Sequence, residues 1–184
     1  MGWIIAGALA VAVLLWAVSI FNGLVRRKNI VAEAWSGIET QLKRRADLIP
    51  NLVETVKGYA AHERGTFDEL ARLRSQGQAQ TDVASRGQTE AAITAAIGRV
   101  MAVAENYPEL KASANFQSLQ SDLANIEDQI QLARRYYNGA VRDLNVMIEQ
   151  FPSNLIANNT GFKPAPFFQI ENDADRAVPK VSFA

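Results

Sequence analysis

The stretch from Phe116 to Phe151 reads FQSLQSDLANIEDQIQLARRYYNGAVRDLNVMIEQF. Phe116, Leu119, Leu123, Ile126, Ile130, Ala133, Tyr137, Ala140, Leu144, Met147 and Phe151 alternate spacings of three and four, and every one is apolar or aromatic. The residues between them are largely Gln, Asn, Asp, Glu, Arg and Ser. An apolar stripe of that period belongs on one face of a helix. The spacing predicts one helix of about 36 residues, roughly 54 Å long. Gly139 is its single glycine, and Pro152 stops it. A helix with one long apolar face needs other helices to cover it.

Those partners lie upstream. A second seam runs through Val31, Trp35, Ile38, Leu42, Ile49, Leu52, Val56 and Tyr59, then Leu70 and Leu73, interrupted by Arg45, Glu63 and Thr66. Pro50 sits inside it. Two readings stay open. Either Asp47 caps a new helix with Pro50 in its first turn, or one long helix bends at Pro50, because the heptad phase does not shift there. Gln76 to Arg86 reads as a loop. An Ala-rich helix follows, with Ile93, Ile97, Val100 and Ala104 facing inward, and Tyr107-Pro108 ends it. No strand pattern of any length is present. The expected class is all-α, with residues 25–151 forming an antiparallel up-and-down bundle of three to four long helices.

Residues 152–184 differ in style. Pro152, Gly161, Pro164, Pro166 and Pro179 argue against helix there. Leu155, Ile156, Phe162, Phe167, Phe168, Ile170, Val181 and Phe183 are too apolar for a free tail. The segment is expected to be an extended arm docked on its own bundle or on a partner.

At the other end, Gly2 to Leu24 carries no charge, and all 19 basic and 19 acidic residues lie at or after Arg26. As a helix the run spans roughly 34 Å, enough for a bilayer core of about 30 Å. It has no positive n-region and is longer than a typical signal-peptide core, which favours an uncleaved anchor over residues 1–24. Arg26, Arg27 and Lys28 follow at once, and positive flanks stay inside, so the N-terminus is expected outside and the body in the cytoplasm. Trp3 and Trp16, with Arg26, Arg27 and Lys28, are the candidate lipid contacts. Phe21 sits near the inner end of the span. Gly2, Ala6 and Ala10, spaced by four, could line a helix–helix contact and so a homo-oligomer.

Two stretches resemble a known family. Asn29 to Glu63, NIVAEAWSGIETQLKRRADLIPNLVETVKGYAAHE, is similar to the signature of the LemA family, and Phe151 to Phe168, FPSNLIANNTGFKPAPFF, resembles its C-terminal motif. The resemblance implies a membrane-anchored antiparallel helical bundle of the bacterial cytoplasmic membrane. It implies no established enzymatic chemistry and no ligand residues. Association with membrane proteases or other envelope proteins, in envelope maintenance or membrane organisation, is an expectation by analogy.

The chemical inventory is thin. There is no Cys, which excludes disulfides, thiolate metal sites and thiol nucleophiles. His62-Glu63 begins like a zinc-protease helix, but that motif needs a second His one turn on, where Thr66 stands, and the chain has no other His. No phosphate loop, nucleophile elbow or dinucleotide fingerprint occurs. Zero net charge gives no drive toward nucleic acid. The expectation is a non-enzymatic membrane scaffold or adaptor without cofactor, with lipid binding or membrane shaping as the alternative. Lys43, Arg44 and Arg45, and Phe162, Phe167 and Phe168, are the candidate partner contacts; core packing is the first reading for Trp35, and a solvated helix end for the basic trio.

Overall fold

In the computed structural model, residues 1–60 and 62–169 are described. They form α1 (Gly2–Lys57), α2 (Arg64–Ala79), α3 (Val83–Ala104), α4 (Pro108–Lys111), α5 (Ala114–Glu149) and α6 (Ser153–Asn159), with no strand among the described residues. The chain is all-α, as its periodicity predicts. It divides into two compact units.

One unit joins Met1–Glu39 to Leu132–Phe167. Here α1 and α5 run antiparallel: Trp35 packs on Tyr137 with ring centroids 5.5 Å apart, and Arg27 reaches Met147. Leu24, Leu144, Ile148 and Ala157 form the buried core, with Ile20, Val31, Met147, Ile156, Phe162 and Ala165 packed around it. Each such aliphatic side chain contributes about 1.5–3 kcal/mol when fully buried. Leu24 is fully buried, and α1 runs from an exposed apolar surface into this core without a joint.

The other unit comprises Thr40–Gln131 and, among the described residues, Phe168 and Gln169. Its core gathers Ile49, Leu52 and Val56 of α1, Leu70 and Leu73 of α2, Ile93 and Val100 of α3, Leu110 of α4, and Phe116, Leu119 and Leu123 of α5. Within this unit α2 and α3 are antiparallel: Arg86 bonds the Gly77 carbonyl near one end, and Arg99 pairs with Glu69 at 2.9 Å toward the other.

Several expectations change. Of the two readings of Pro50, the continuous helix holds. Proline removes the bond to the Ala46 carbonyl one turn back, and the Arg74 guanidinium of α2 donates to that carbonyl at 2.6 Å instead. The loop placed at Gln76–Arg86 shrinks to the residues between Ala79 and Val83. Gly77 is buried in α2, where a Cβ would come within 3.3 Å of Glu90 Oε1 and Ile93 Cδ1, so this glycine marks close helix packing rather than a turn. Asp82 caps α3, accepting from the Ala84 and Ser85 amides. The arm contains the seven-residue helix α6, because Pro152 precedes its first turn and no further proline occurs before Pro164. Ile170, Pro179, Val181 and Phe183 lie outside the described residues.

The seam of α5 also drifts. Phe116 through Ile130, Tyr137 and Leu144 are buried as expected, but Phe151 is 78% exposed, while Val141 and Ile148 are buried. A strict three-four alternation averages 3.5 residues per turn, whereas a straight helix has 3.6 and loses about 20° per heptad. Over five heptads the buried stripe therefore slips by one residue, to Tyr137, Val141, Leu144 and Ile148.

Candidate functional site

The surface worth testing for function lies in the first unit, where the apolar part of α1 meets α5, α6 and the segment after them. From Trp3 to Val18 the large apolar side chains of α1 are exposed: Trp3 is 93% accessible, and Ile5, Leu9, Val13, Leu14 and Trp16 are all open. The helix is long and apolar enough to cross a membrane, and none of its apolar window is buried. Such a surface is ordinary in lipid and costly in water.

Below it, the predicted basic trio separates. Arg26 and Lys28 are exposed. Arg27 turns partly inward and donates to Met147 Sδ at 3.0 Å. Gly23 makes room for this contact, since a Cβ there would come within 2.8 Å of Met147 Cε.

The segment after α6 is pinned by side chains from α5. Asn145 makes both backbone bonds of Ala165: its Oδ1 accepts from the amide at 2.8 Å, and its Nδ2 donates to the carbonyl at 3.0 Å. Tyr137 donates its hydroxyl to the Pro166 carbonyl at 2.9 Å, and burial pushes its phenol above the ordinary value of 10.0. Gly161, with φ +75, supplies the left-handed turn that ends α6 and starts the return. Phe162 then packs edge-on against Phe21, centroids 6.0 Å apart. The result is a groove of about 510 Å³ with apolar and aromatic walls from Val31, Trp35, Tyr137 and Phe162, and with Lys28 and Lys163 at its margin and no acidic residue in its lining.

In the second unit a buried charge cluster replaces the surface patch expected at Lys43–Arg45. Lys43 and Arg44 are exposed, but in mid-helix rather than at a helix end. Arg45 is 1% exposed and points inward. Its guanidinium pairs with Glu90, which is 2% exposed, and with Glu127 at 2.7 Å, and it donates to Thr94 Oγ1 at 2.7 Å. Glu90 is shared with Arg86 at 2.7 Å. Arg45 thus belongs to the seam that it was expected to interrupt, and it is withdrawn from any partner. Of the candidate aromatic contacts, Phe162 is half-buried, Phe167 is exposed and Phe168 is fully buried. The roles of Asn145 and Glu90 carry no sequence signal, because each looks like a solvated polar residue until its neighbour is known. No cluster of three or more potential metal ligands exists among the described residues.

Fold and surface together define an all-helical protein whose first helix is long and apolar enough to cross a bilayer and whose helical body encloses a buried Arg45–Glu90 pair. The LemA family model matches residues 34–183, and the chain belongs to the LemA family. Among its relatives are magnetosome protein MamQ 2 of Paramagnetospirillum magneticum, 28% identical over 86% of this chain and 68% of that protein. Magnetosome protein MamQ of Magnetospirillum gryphiswaldense is 24% identical over the same shares. Protein LemA of Metamycoplasma hominis is 27% identical over 80% of this chain and 68% of its own length.

Proposed function

We propose that this chain is a membrane-anchored scaffold or adaptor of the bacterial cytoplasmic membrane, without catalytic chemistry of its own, that works by presenting a helical body to other proteins or to further copies of itself. The observation that carries this reading is the continuity of α1, which joins a wholly exposed apolar segment to a well-packed helical core within one unbroken element. The resemblance to bacterial magnetosome proteins favours a role in organising a bacterial compartment, and a membrane protease or another envelope protein is a reasonable partner. The positive flank at Arg26 and Lys28 supports a body on the cytoplasmic side. Crosslinking of the full chain in native membranes tests the scaffold: assemblies larger than one chain, retained in mild detergent, are expected. A monodisperse monomer that crosslinks to nothing overturns it. An enzymatic reporter fused after Ala184 tests the orientation, with cytoplasmic activity expected.

A second reading is direct lipid binding or membrane shaping. It is favoured by the exposed Arg26 and Lys28 beside a groove lined by no acid. Co-sedimentation with anionic vesicles that weakens with salt distinguishes it.

A further inference from the structure

The anchor is not the only apolar surface at the height of the proposed membrane. Within the first unit, α1 and α5 are antiparallel and locked in register, Trp35 beside Tyr137 and Arg27 beside Met147. Both advance about 1.5 Å per residue, so Glu149, the end of α5 two residues past Met147, lies about 3 Å further toward the apolar end of α1, and Phe151 follows in the turn beyond it. The last apolar turn of α1 lies at this end, where Phe21 packs on Phe162. There the chain turns a corner into α6. Phe151 is 78% exposed and Leu155 52% exposed, while Ser153 and Ala157 on the opposite side face the core.

Charge follows the same boundary. No charged residue occurs between Glu149 and Lys163, just as none precedes Arg26. Beyond these stretches, Lys28 and Lys163 border the same groove, and Phe162 of its lining packs against Phe21. Two stretches remote in sequence therefore leave an uncharged layer together. An exposed phenylalanine and leucine on an uncharged corner, set beside a membrane-compatible helix, fit the headgroup boundary of a bilayer, where amphipathic surfaces dip by about 5–10 Å.

We infer that the α5–α6 corner is a second membrane contact, with Phe151 and Leu155 seated in the lipid interface beside the anchor. This rests on the reading of α1 as a membrane span. The occupant is the bilayer surface itself, because the corner is continuous with the apolar segment of α1.

The chain has no native cysteine, so single nitroxide labels can be placed cleanly. In the full chain, the exposed positions Phe151→Cys, Leu155→Cys, Tyr136→Cys and Ser19→Cys are labelled one at a time. The chain is reconstituted in vesicles of phosphatidylcholine and phosphatidylglycerol, and collision with oxygen and with a water-soluble nickel chelate is measured. Labels at 151 and 155 are expected to gain oxygen contact and lose nickel contact relative to 136, which sits about 22 Å further along α5. If 151 and 155 behave like 136 while 19 reports hydrocarbon, the corner is overturned and the anchor stands. If 19 is also open to nickel, the anchor reading fails and the corner falls with it. Equal protection at 136 and 151 would place the whole helix in lipid and refute a contact confined to the corner.

Discussion

Arg45 spends its charge entirely on the protein interior. It sits with Glu90 at almost zero exposure, and Glu127, Thr94 and Arg86 complete the cluster. Removing one partner from such a pair strands the other, which costs about 3–5 kcal/mol. Arg45→Ala is therefore expected to lose that much in denaturant unfolding. Arg45→Met combined with Glu90→Gln is expected to lose clearly less than the sum of the two single changes, because the stranded charge is gone. A different residue contributes to the acid response. Asp82 is held below its ordinary value of 3.8, first by the Ser85 side chain and then by the Ser85 amide. A depressed carboxylate contributes stability that is fully present above its unfolded value and is lost as pH falls through the folded one. Asp82→Ala is expected to lower the melting temperature at neutral pH, with the gap to the parent chain closing as pH drops below 3.8.

At the scale of the helix, Pro50 and Arg74 form one device. The proline leaves the Ala46 carbonyl without its intrahelical donor, and Arg74 of the neighbouring helix fills the vacancy. Arg74→Met is expected to cost about 1 kcal/mol, at the low end of the penalty for an orphaned carbonyl because this one is only partly buried. In a Pro50→Ala background the same change is expected to cost much less, since the helix then satisfies itself; thermal unfolding of the four chains reads the difference. A second contrast lies within α3. A Cβ on Gly87 would collide with the Gln169 carbonyl, whereas one on Gly98 meets nothing within 4 Å. Gly98→Ala is expected to stabilise by about 0.5–1 kcal/mol, and Gly87→Ala to destabilise by about 1–3 kcal/mol through overpacking. These cases mark what the sequence can disclose. The apolar period announces α5 and α1 because burial leaves a one-dimensional trace, and the uncharged leader does the same for the candidate span. Arg45 read as an interruption and Gly77 as a loop, because each is explained only by a residue far away in the chain. The groove around Trp35 and Tyr137 was equally hidden, since Asn145, which pins its far wall, has no periodic signature.

For the molecule as a whole, Leu24 ties the apolar leader to the folded body. It is fully buried with Leu144, Ile148 and Ala157. Leu24→Ala is expected to cost about 2–5 kcal/mol in detergent-solubilised protein. Val18→Ala, on the exposed part of the same helix, is expected to stay within about 0.5 kcal/mol. A cut at residue 24 would remove a core side chain, so a water-soluble body is better begun ahead of Ile20, which packs on the same core. This shared core has a consequence for biosynthesis. Arg27 and its contact Met147 are separated by 120 positions. At about 5–20 residues per second, a ribosome needs roughly 6–24 s to deliver the second after the first. Throughout that interval the part of α1 around Leu24 and Val31 has none of its core partners from α5 and α6 to lean on. Nascent chains of this protein are thus expected to bind a holding chaperone until their last helices emerge.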